Sequence, residues 1–140
     1  MKLTFNKSQR FRVPEKILSI LNTELTEIST PDLETTGIVF NFRDDDYSAD
    51  AGGFHPVEIR LSKRGEQWQF EYITDFSYLG HPYPELVKEI DVCFNTNKVY
   101  QLFVGWIEDE DDANELVDTF LTNFISYVEM GVFAVSVSFD

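Results

Sequence analysis

The stretch VEIRLSKRGEQWQFEYIT, residues 57–74, decides the fold. Apolar and polar residues alternate through both of its halves, and a period of two is typical of a strand with one buried face. The segment KRGE between the halves, residues 63–66, carries the turn of a hairpin. We therefore predict an antiparallel hairpin with one face in a hydrophobic core. The alternating apolar residues are Val57, Ile59, Leu61, Trp68, Phe70 and Tyr72.

Further strands are predicted on both sides of this hairpin. Residues 37–42, GIVFNF, form a strand before it, and the strict alternation in VFAVSVSF, residues 132–139, predicts a strand at the end of the chain. Residues 86–94 alternate like a strand, although the Pro-Glu pair before them also suits a helical turn. Residues 99–107 are nearly all apolar and predict a strand covered on both faces. Residues 76–84 are rich in aromatics, Pro and Gly, and predict a loop.

Two amphipathic helices are predicted to flank the strands. Pro14 suits the first position of a helix, which should end before Pro31. A second helix is predicted over residues 113–130, with acidic residues before it that favour the helix dipole and Gly131 placed for its C-terminal cap. Their apolar faces are Ile17, Leu21, Leu25 and Ile28 in the first helix, and Leu116, Val117, Phe120, Leu121, Phe124 and Val128 in the second.

Together these elements predict an α+β fold. Strands joined by short turns need no crossover helices, and two amphipathic helices can cover one face of such a sheet. The prediction is a twisted antiparallel β-meander of about five to seven strands covered by an N-terminal and a C-terminal amphipathic helix. A length of 140 residues suits one domain, residues 1–140, with a hydrophobic core of its own.

The composition excludes several protein classes. A hydrophobic fraction of 43% with 15% aromatic residues is too apolar for a disordered chain. No apolar run is long enough to span a bilayer, and the N-terminus lacks the apolar segment of a secretory signal. The lone Cys93 cannot form an internal disulfide and is typical of a reducing compartment. We therefore predict a cytoplasmic protein that does not bind membranes.

The net charge of −14 is unevenly distributed. The first sixteen residues carry five basic side chains against Glu15 alone, whereas no Lys or Arg follows Lys98. Such an acidic surface repels nucleic acid and attracts basic proteins, although it also serves solubility alone. We predict a basic protein partner and no nucleic-acid ligand. The carboxylates predicted to bind that partner are Glu108, Asp109, Glu110 and Asp111.

The segment RDDDYSADAGGFHP, residues 43–56, resembles a metal or catalytic loop. Counted from Asp44, an EF-hand loop would find its first three oxygen ligands, but Ala49 stands where the turn glycine belongs and His55 where the bidentate Glu belongs. Asp, Ser and Gly also favour ordinary turns. We therefore predict a solvated turn rather than a calcium site, and we keep Asp44, Asp46 and His55 as candidate binding residues.

Other chemistry is sparse. The chain has two histidines, and nothing in the spacing of His55, His81, Cys93 and Asp75 indicates the three or four ligands of a zinc site. We therefore predict no metal site and no cofactor. The loop between the strands offers Tyr78, His81 and Tyr83, which either form an aromatic contact patch or fold back over the sheet.

Several segments resemble the gammaproteobacterial family called domain of unknown function 2787. They are residues 43–61, RDDDYSADAGGFHPVEIRL, then WQFEYITDFSYLG, YPELVKEIDVCFN and GVFAVSVSF. The resemblance implies a fold similar to the mitochondrial acidic matrix protein family, whose members are acidic, ring-shaped trimers. It implies no catalytic or binding residue. It also implies a homo-oligomer, and Phe5 and Phe11 of the basic N-terminus are predicted as its apolar anchors.

These observations favour a non-enzymatic bacterial protein-binding module that acts through its acidic face. One alternative is a small metal-dependent hydrolase centred on Asp44, Asp46 and His55 of the aspartate-rich loop. A second is a nucleic-acid mimic that places its row of carboxylates in a basic cleft. The binding module and the hydrolase differ in one structural respect. Only the hydrolase requires Asp44, Asp46 and His55 to converge in a concave pocket.

Overall fold

A computed structural model describes residues 2–28 and 34–140. The strands form a seven-stranded sheet in the order β6-β5-β4-β3-β2-β1-β7, with every neighbouring pair antiparallel. The α+β class, the meander and the two flanking helices are thus confirmed. The elements are α1 (Glu15–Thr26), β1 (Gly37–Arg43), β2 (Val57–Arg64), β3 (Gln67–Leu79), β4 (Glu85–Cys93), β5 (Lys98–Gln101), β6 (Gly105–Trp106), α2 (Glu110–Glu129) and β7 (Ala134–Phe139).

The core lies on one face of the sheet. A row of mutually paired residues crosses five strands there, and each is fully buried. Both helices bury their apolar residues in the same core, so this face is the covered one. Period-two alternation therefore sends one set of side chains to the helices and the other to the open face. A bulge at Glu71 shifts this alternation in β3, so Tyr72 lies on the open face, where its hydroxyl donates to Glu58, and its assignment to the buried face is wrong. The central row is Phe40, Ile59, Ile73, Val92 and Val99.

Both helices differ from the prediction at their ends. Helix α2 begins at Glu110, three residues earlier than expected, because the side chain of Asp109 caps it by accepting a hydrogen bond from the backbone N–H of Asp112 at 2.9 Å. Helix α1 ends at Thr26. Ile28 therefore lies outside the helix and is exposed, so its assignment to the buried face is wrong. Pro31 lies outside the described residues.

The strand boundaries also correct the prediction. Strand β3 runs to Leu79, so the first four residues of the expected loop at 76–84 are strand. The ambiguous segment before residue 94 is strand β4. The expected single strand over residues 99–107 is wrong, because the chain reverses there into two short strands. The turn between β5 and β6 holds Phe103 at a φ of 68° and leaves its side chain 83% exposed.

The basic N-terminus packs on its own chain. Residues 2–13, here called the N-terminal strap, run beside β3, where the Trp68 N–H donates to the Thr4 carbonyl at 2.8 Å. Phe5 and Phe11 are buried in the core of the same chain. Arg10 reaches the start of α2 and forms an ion pair with Glu110 at 3.2 Å. The oppositely charged ends of the chain therefore meet within one subunit.

Candidate functional site

The aspartate loop, residues 44–55, is closed by its first aspartate. Asp44 accepts the backbone N–H of Asp46 at one carboxylate oxygen and that of Phe54 at the other, each at 3.0 Å. Gly53 has a φ of 135°, and a Cβ there would lie 2.9 Å from Asp44 Oδ2. Both oxygens of Asp44 thus serve the fold of the loop, while the side chain of Asp46 is exposed.

His55 turns away from these aspartates toward two other carboxylates. Its Nδ1 lies 2.6 Å from Oε2 of Glu89 and 3.5 Å from Oδ2 of Asp75. The ring of Tyr47 packs beside the imidazole, with the ring centroids 5.4 Å apart. Asp44, Asp46 and His55 therefore do not form one group, and His55 belongs to a second site that we call the bulge cluster: His55, Asp75 and Glu89.

A β-bulge places Glu89 in this cluster. Asp75 pairs with Ile90, and Phe76 pairs with Lys88, so Glu89 has no partner residue on β3. Bulges bend a strand and redirect a side chain. The ladder is completed here by a side chain, because Oδ1 of Asp75 accepts the backbone N–H of Ile90 at 2.8 Å. This bond also fixes the orientation of the Asp75 carboxylate.

The bulge cluster lies beside a cleft of about 230 Å³ between the sheet and α2. His55 and Asp75 line it from the sheet side, and α2 contributes mainly apolar side chains with Thr119 and Asn123. A concave, mostly apolar site with a few convergent polar groups is the usual form of a ligand pocket. The apolar lining includes Val57, Ile90, Leu116, Phe120 and Phe124.

The carboxylates raise the pKa of His55 above its ordinary value. The largest cause is the hydrogen bond to Asp75, and the charges of Glu89 and Asp75 act in the same direction, while burial opposes them. Glu89 is the nearer carboxylate, but Asp75 is only 7% exposed, so its interaction is less screened by water. The cluster carries one net negative charge when His55 is protonated and two when His55 is neutral.

The chain matches the model of the protein family of unknown function DUF2787 over residues 15–138. The chain belongs to this family. The hypothetical protein VC0508 from the VSP-II pathogenicity island of Vibrio cholerae is 36% identical, with a TM-score of 0.89 over 99% of this chain and 100% of that one. No curated protein matches.

A second solved structure supports the expected fold likeness. The protein VC1805 from pathogenicity island VPI-2 of Vibrio cholerae is 35% identical, with a TM-score of 0.80 over 94% of this chain and 98% of that one. It is described as sharing structural homology with the human P32 protein. Both parts of the resemblance, to DUF2787 and to the mitochondrial acidic matrix protein, are thereby confirmed. None of these descriptions assigns an activity.

The other predicted site residues are exposed and apart from the cleft lining. The ring of Tyr78 lies against that of Tyr47, with centroids 5.1 Å apart, whereas His81 and Tyr83 lie in the turn after β3. Tyr83 is 86% exposed, so this turn does not fold back over the sheet. Glu108, Asp109, Glu110 and Asp111 are exposed at the start of α2.

Glu89 is the site residue that the sequence reasoning missed. Of the possible zinc ligands His55, His81, Cys93 and Asp75, the structure brings together only His55 and Asp75. Among the described residues, the bulge cluster is the group in which three ligand atoms from His, Cys, Asp or Glu lie within 4.8 Å of one another. Alternation gave no signal for Asp75, because the predicted buried face ran through Trp68, Phe70 and Tyr72. Asp75 faces the core only because a bulge at Glu71 shifts the alternation of β3 by one residue. No described helix has the length and apolar character needed to cross a bilayer.

Proposed function

We propose that this protein is a non-enzymatic, single-domain cytoplasmic module that binds a basic protein through the acidic face of α2. The observation that carries the proposal is the seven exposed carboxylates between residues 108 and 118. Among the described residues, Arg10 alone forms an ion pair with any of them. The other six carboxylates have no ion-pair partner in the part of the chain that the structure describes, although Asp109 also caps α2. Their charge is available to a partner, and complementary charge accelerates and orients such encounters.

The position of these carboxylates on the helix adds to the argument. Glu110, Asp111 and Asp112 occupy the first turn of α2, where the helix dipole stabilises negative charge. They are held on a helix whose opposite face is buried through Val117 and Phe120. A partner therefore meets a fixed array of charges and loses little free energy in ordering it.

Two charge-reversal triples test the proposal. The first replaces Asp111, Glu115 and Asp118 with Lys, and the control replaces Asp45, Asp46 and Glu66 with Lys. All six side chains are exposed, and both triples change the net charge equally. Fluorescence anisotropy with a labelled lysine-rich peptide, at low and at physiological ionic strength, should show about tenfold weaker binding for the first triple. The control should change the affinity by less than about threefold. Equal losses would show that only net charge matters and would reject the site.

The alternatives are less well supported. A hydrolase centred on the aspartate loop needs carboxylates free to act, but both oxygens of Asp44 accept backbone hydrogen bonds. A nucleic-acid mimic would use the same face of α2. The test is whether this protein displaces duplex DNA from a basic DNA-binding protein. Displacement that is lost in the Asp111, Glu115 and Asp118 triple would favour the mimic.

We also propose a homo-oligomer, with different anchors from those expected. Phe5 and Phe11 are buried within the chain, whereas apolar side chains are exposed near the β5–β6 turn. Phe103 is 83% and Trp106 52% exposed, which favours a contact. Light scattering should report an oligomer that Phe103→Ser with Trp106→Ser weakens. A monomer for the unaltered chain at tens of micromolar would contradict this proposal.

A further inference from the structure

We propose that His55, Asp75 and Glu89 form a binding site for a divalent transition-metal cation of the zinc class, beside the cleft between α2 and the sheet. This site is separate from the acidic face of α2. It departs from the prediction that the chain has no metal site, because that prediction considered ligands by their spacing in the sequence. The bulge in β4 adds Glu89 as a ligand, which the spacing of residues in the sequence does not indicate.

The distances suit a small cation. A tetrahedral zinc ion with ligands at about 2.0–2.2 Å separates neighbouring ligand atoms by about 3.3–3.6 Å. Nδ1 of His55 and Oδ2 of Asp75 are already 3.5 Å apart. Nδ1 and Oε2 of Glu89 are 2.6 Å apart, a hydrogen-bond distance, and would open by roughly 0.7–1 Å as the ion replaces the shared proton.

The two carboxylates differ in how firmly the structure fixes them. Only Glu89 has to move for the gap between its Oε2 and Nδ1 of His55 to widen. Asp75 is fixed by the N–H of Ile90, so it would serve as the preformed ligand. Glu89 is about one-third exposed and has a longer side chain, so it can rotate without disturbing the core. Binding therefore needs a rearrangement of one side chain at the bulge.

The burial of Asp75 gives a second argument. The Asp75 side chain is 90% buried, and its Oδ2 faces the His55 nitrogen at 3.5 Å. Burying a carboxylate is costly unless it is paired, and a cation would pair with Oδ2 at closer range than the imidazole does. Asp75 and His55 both line the cleft, so a cation can reach them from solvent through it. The burial of Asp75 and the entry path argue for a ligand independently of the cluster's charge.

The donor set selects the class of metal. One imidazole with two carboxylates suits zinc, cobalt, nickel or manganese, whereas calcium prefers six to eight oxygen ligands. Three protein ligands leave at least one coordination position open for water or another ligand, unlike the four protein ligands of a closed structural site. We therefore expect Zn²⁺ and Co²⁺ to bind and Ca²⁺ not to compete with them.

Calorimetry on the full chain, after treatment with a chelator, tests the site. Zn²⁺ should bind with one-to-one stoichiometry and a Kd of about micromolar or below. His55→Asn and Glu89→Gln should each weaken binding by at least about tenfold, which corresponds to about 1.4 kcal/mol. The matched controls are His81→Asn, which removes the other histidine, and Asp46→Asn, which removes an exposed loop carboxylate. Each control should change the affinity by less than about twofold.

Cobalt spectroscopy provides a readout that does not require a variant to fold. Co²⁺ added to the unaltered chain should produce visible absorption bands of a protein-bound ion, and equimolar Zn²⁺ should remove them. If the site variants bind Zn²⁺ like the parent, or if Co²⁺ shows only the spectrum of the hydrated ion, the proposal is overturned. The cluster would then be an ion-paired histidine only.

Discussion

The aspartate loop and the bulge cluster meet at His55, yet they use their carboxylates differently. The loop has four aspartates within seven residues, but Asp44 binds backbone N–H groups and Asp46 is exposed. The cluster has only two carboxylates, fourteen residues apart, and both face one histidine. The comparison shows that the local density of acidic residues is a poor guide to a site. Convergence depends on which residues the sheet brings together.

The largest expected effect concerns the helix that covers the cleft. Phe124 is fully buried and its ring contacts Phe42, with centroids 4.9 Å apart. Phe124→Ala should lower the free energy of unfolding by about 3–5 kcal/mol, because it leaves a cavity in the core. Chemical denaturation measures this. Met130→Ala, at an exposed apolar residue, should cost less than about 0.5 kcal/mol. Equal costs would mean that α2 does not pack against β1 as described.

A smaller effect separates two aspartates of the loop. Asp44→Ala removes the acceptor of two backbone N–H groups and should cost about 1–3 kcal/mol. Asp46→Ala removes only an exposed carboxylate and should stay within about 0.5 kcal/mol of the parent. Thermal melts of both variants, at one pH and in chelator, check the difference. If Asp46 mattered as much as Asp44, the assignment of the loop to structure alone would fail.

The smallest effect is the pH dependence of the cluster in metal-free protein. Asp75 and Glu89 raise the pKa of His55 above 6.5 when the chain folds, with the ring of Tyr47 beside it. The protonated imidazole therefore stabilises the folded state. This contribution to the free energy of unfolding is fully present below pH 6.5 and is lost as the pH rises through the folded-state pKa. It should stay under about 1 kcal/mol, since the imidazole is partly exposed.

The free energy of unfolding is measured in chelator for the parent and for His55→Asn. The pH runs from 5.5 to 8.5, which is roughly the range over which histidine titrates. The difference between the two curves should shrink as the pH rises. Glu89→Gln should reduce this slope, because it removes one of the charges that raise the pKa. Parallel curves for parent and His55→Asn would show that the cluster does not form.

Local patterns anticipated the strands better than the turns. The hairpin of β2 and β3 was expected, since alternation is visible within a few residues. The reversal at Phe103 was not, because an apolar run suits both a buried strand and an exposed hairpin tip. Within the bulge cluster, the sequence indicated His55 as a candidate binding residue and Asp75 only as one of four possible zinc ligands. Glu89 was indistinguishable from any exposed residue of an alternating strand.

The sequence alone determined the α+β class, the two amphipathic helices and the acidic face, because hydrophobic periodicity and charge are properties of neighbouring residues. Tertiary structure decided where those elements meet. The strap buries Phe5 and Phe11 only because Trp68 exposes its backbone beyond the end of β4. Glu89 reaches His55 only because the register of β3 and β4 shifts after Asp75. Register depends on the summed pairing of two strands and the packing on both, which no short segment encodes.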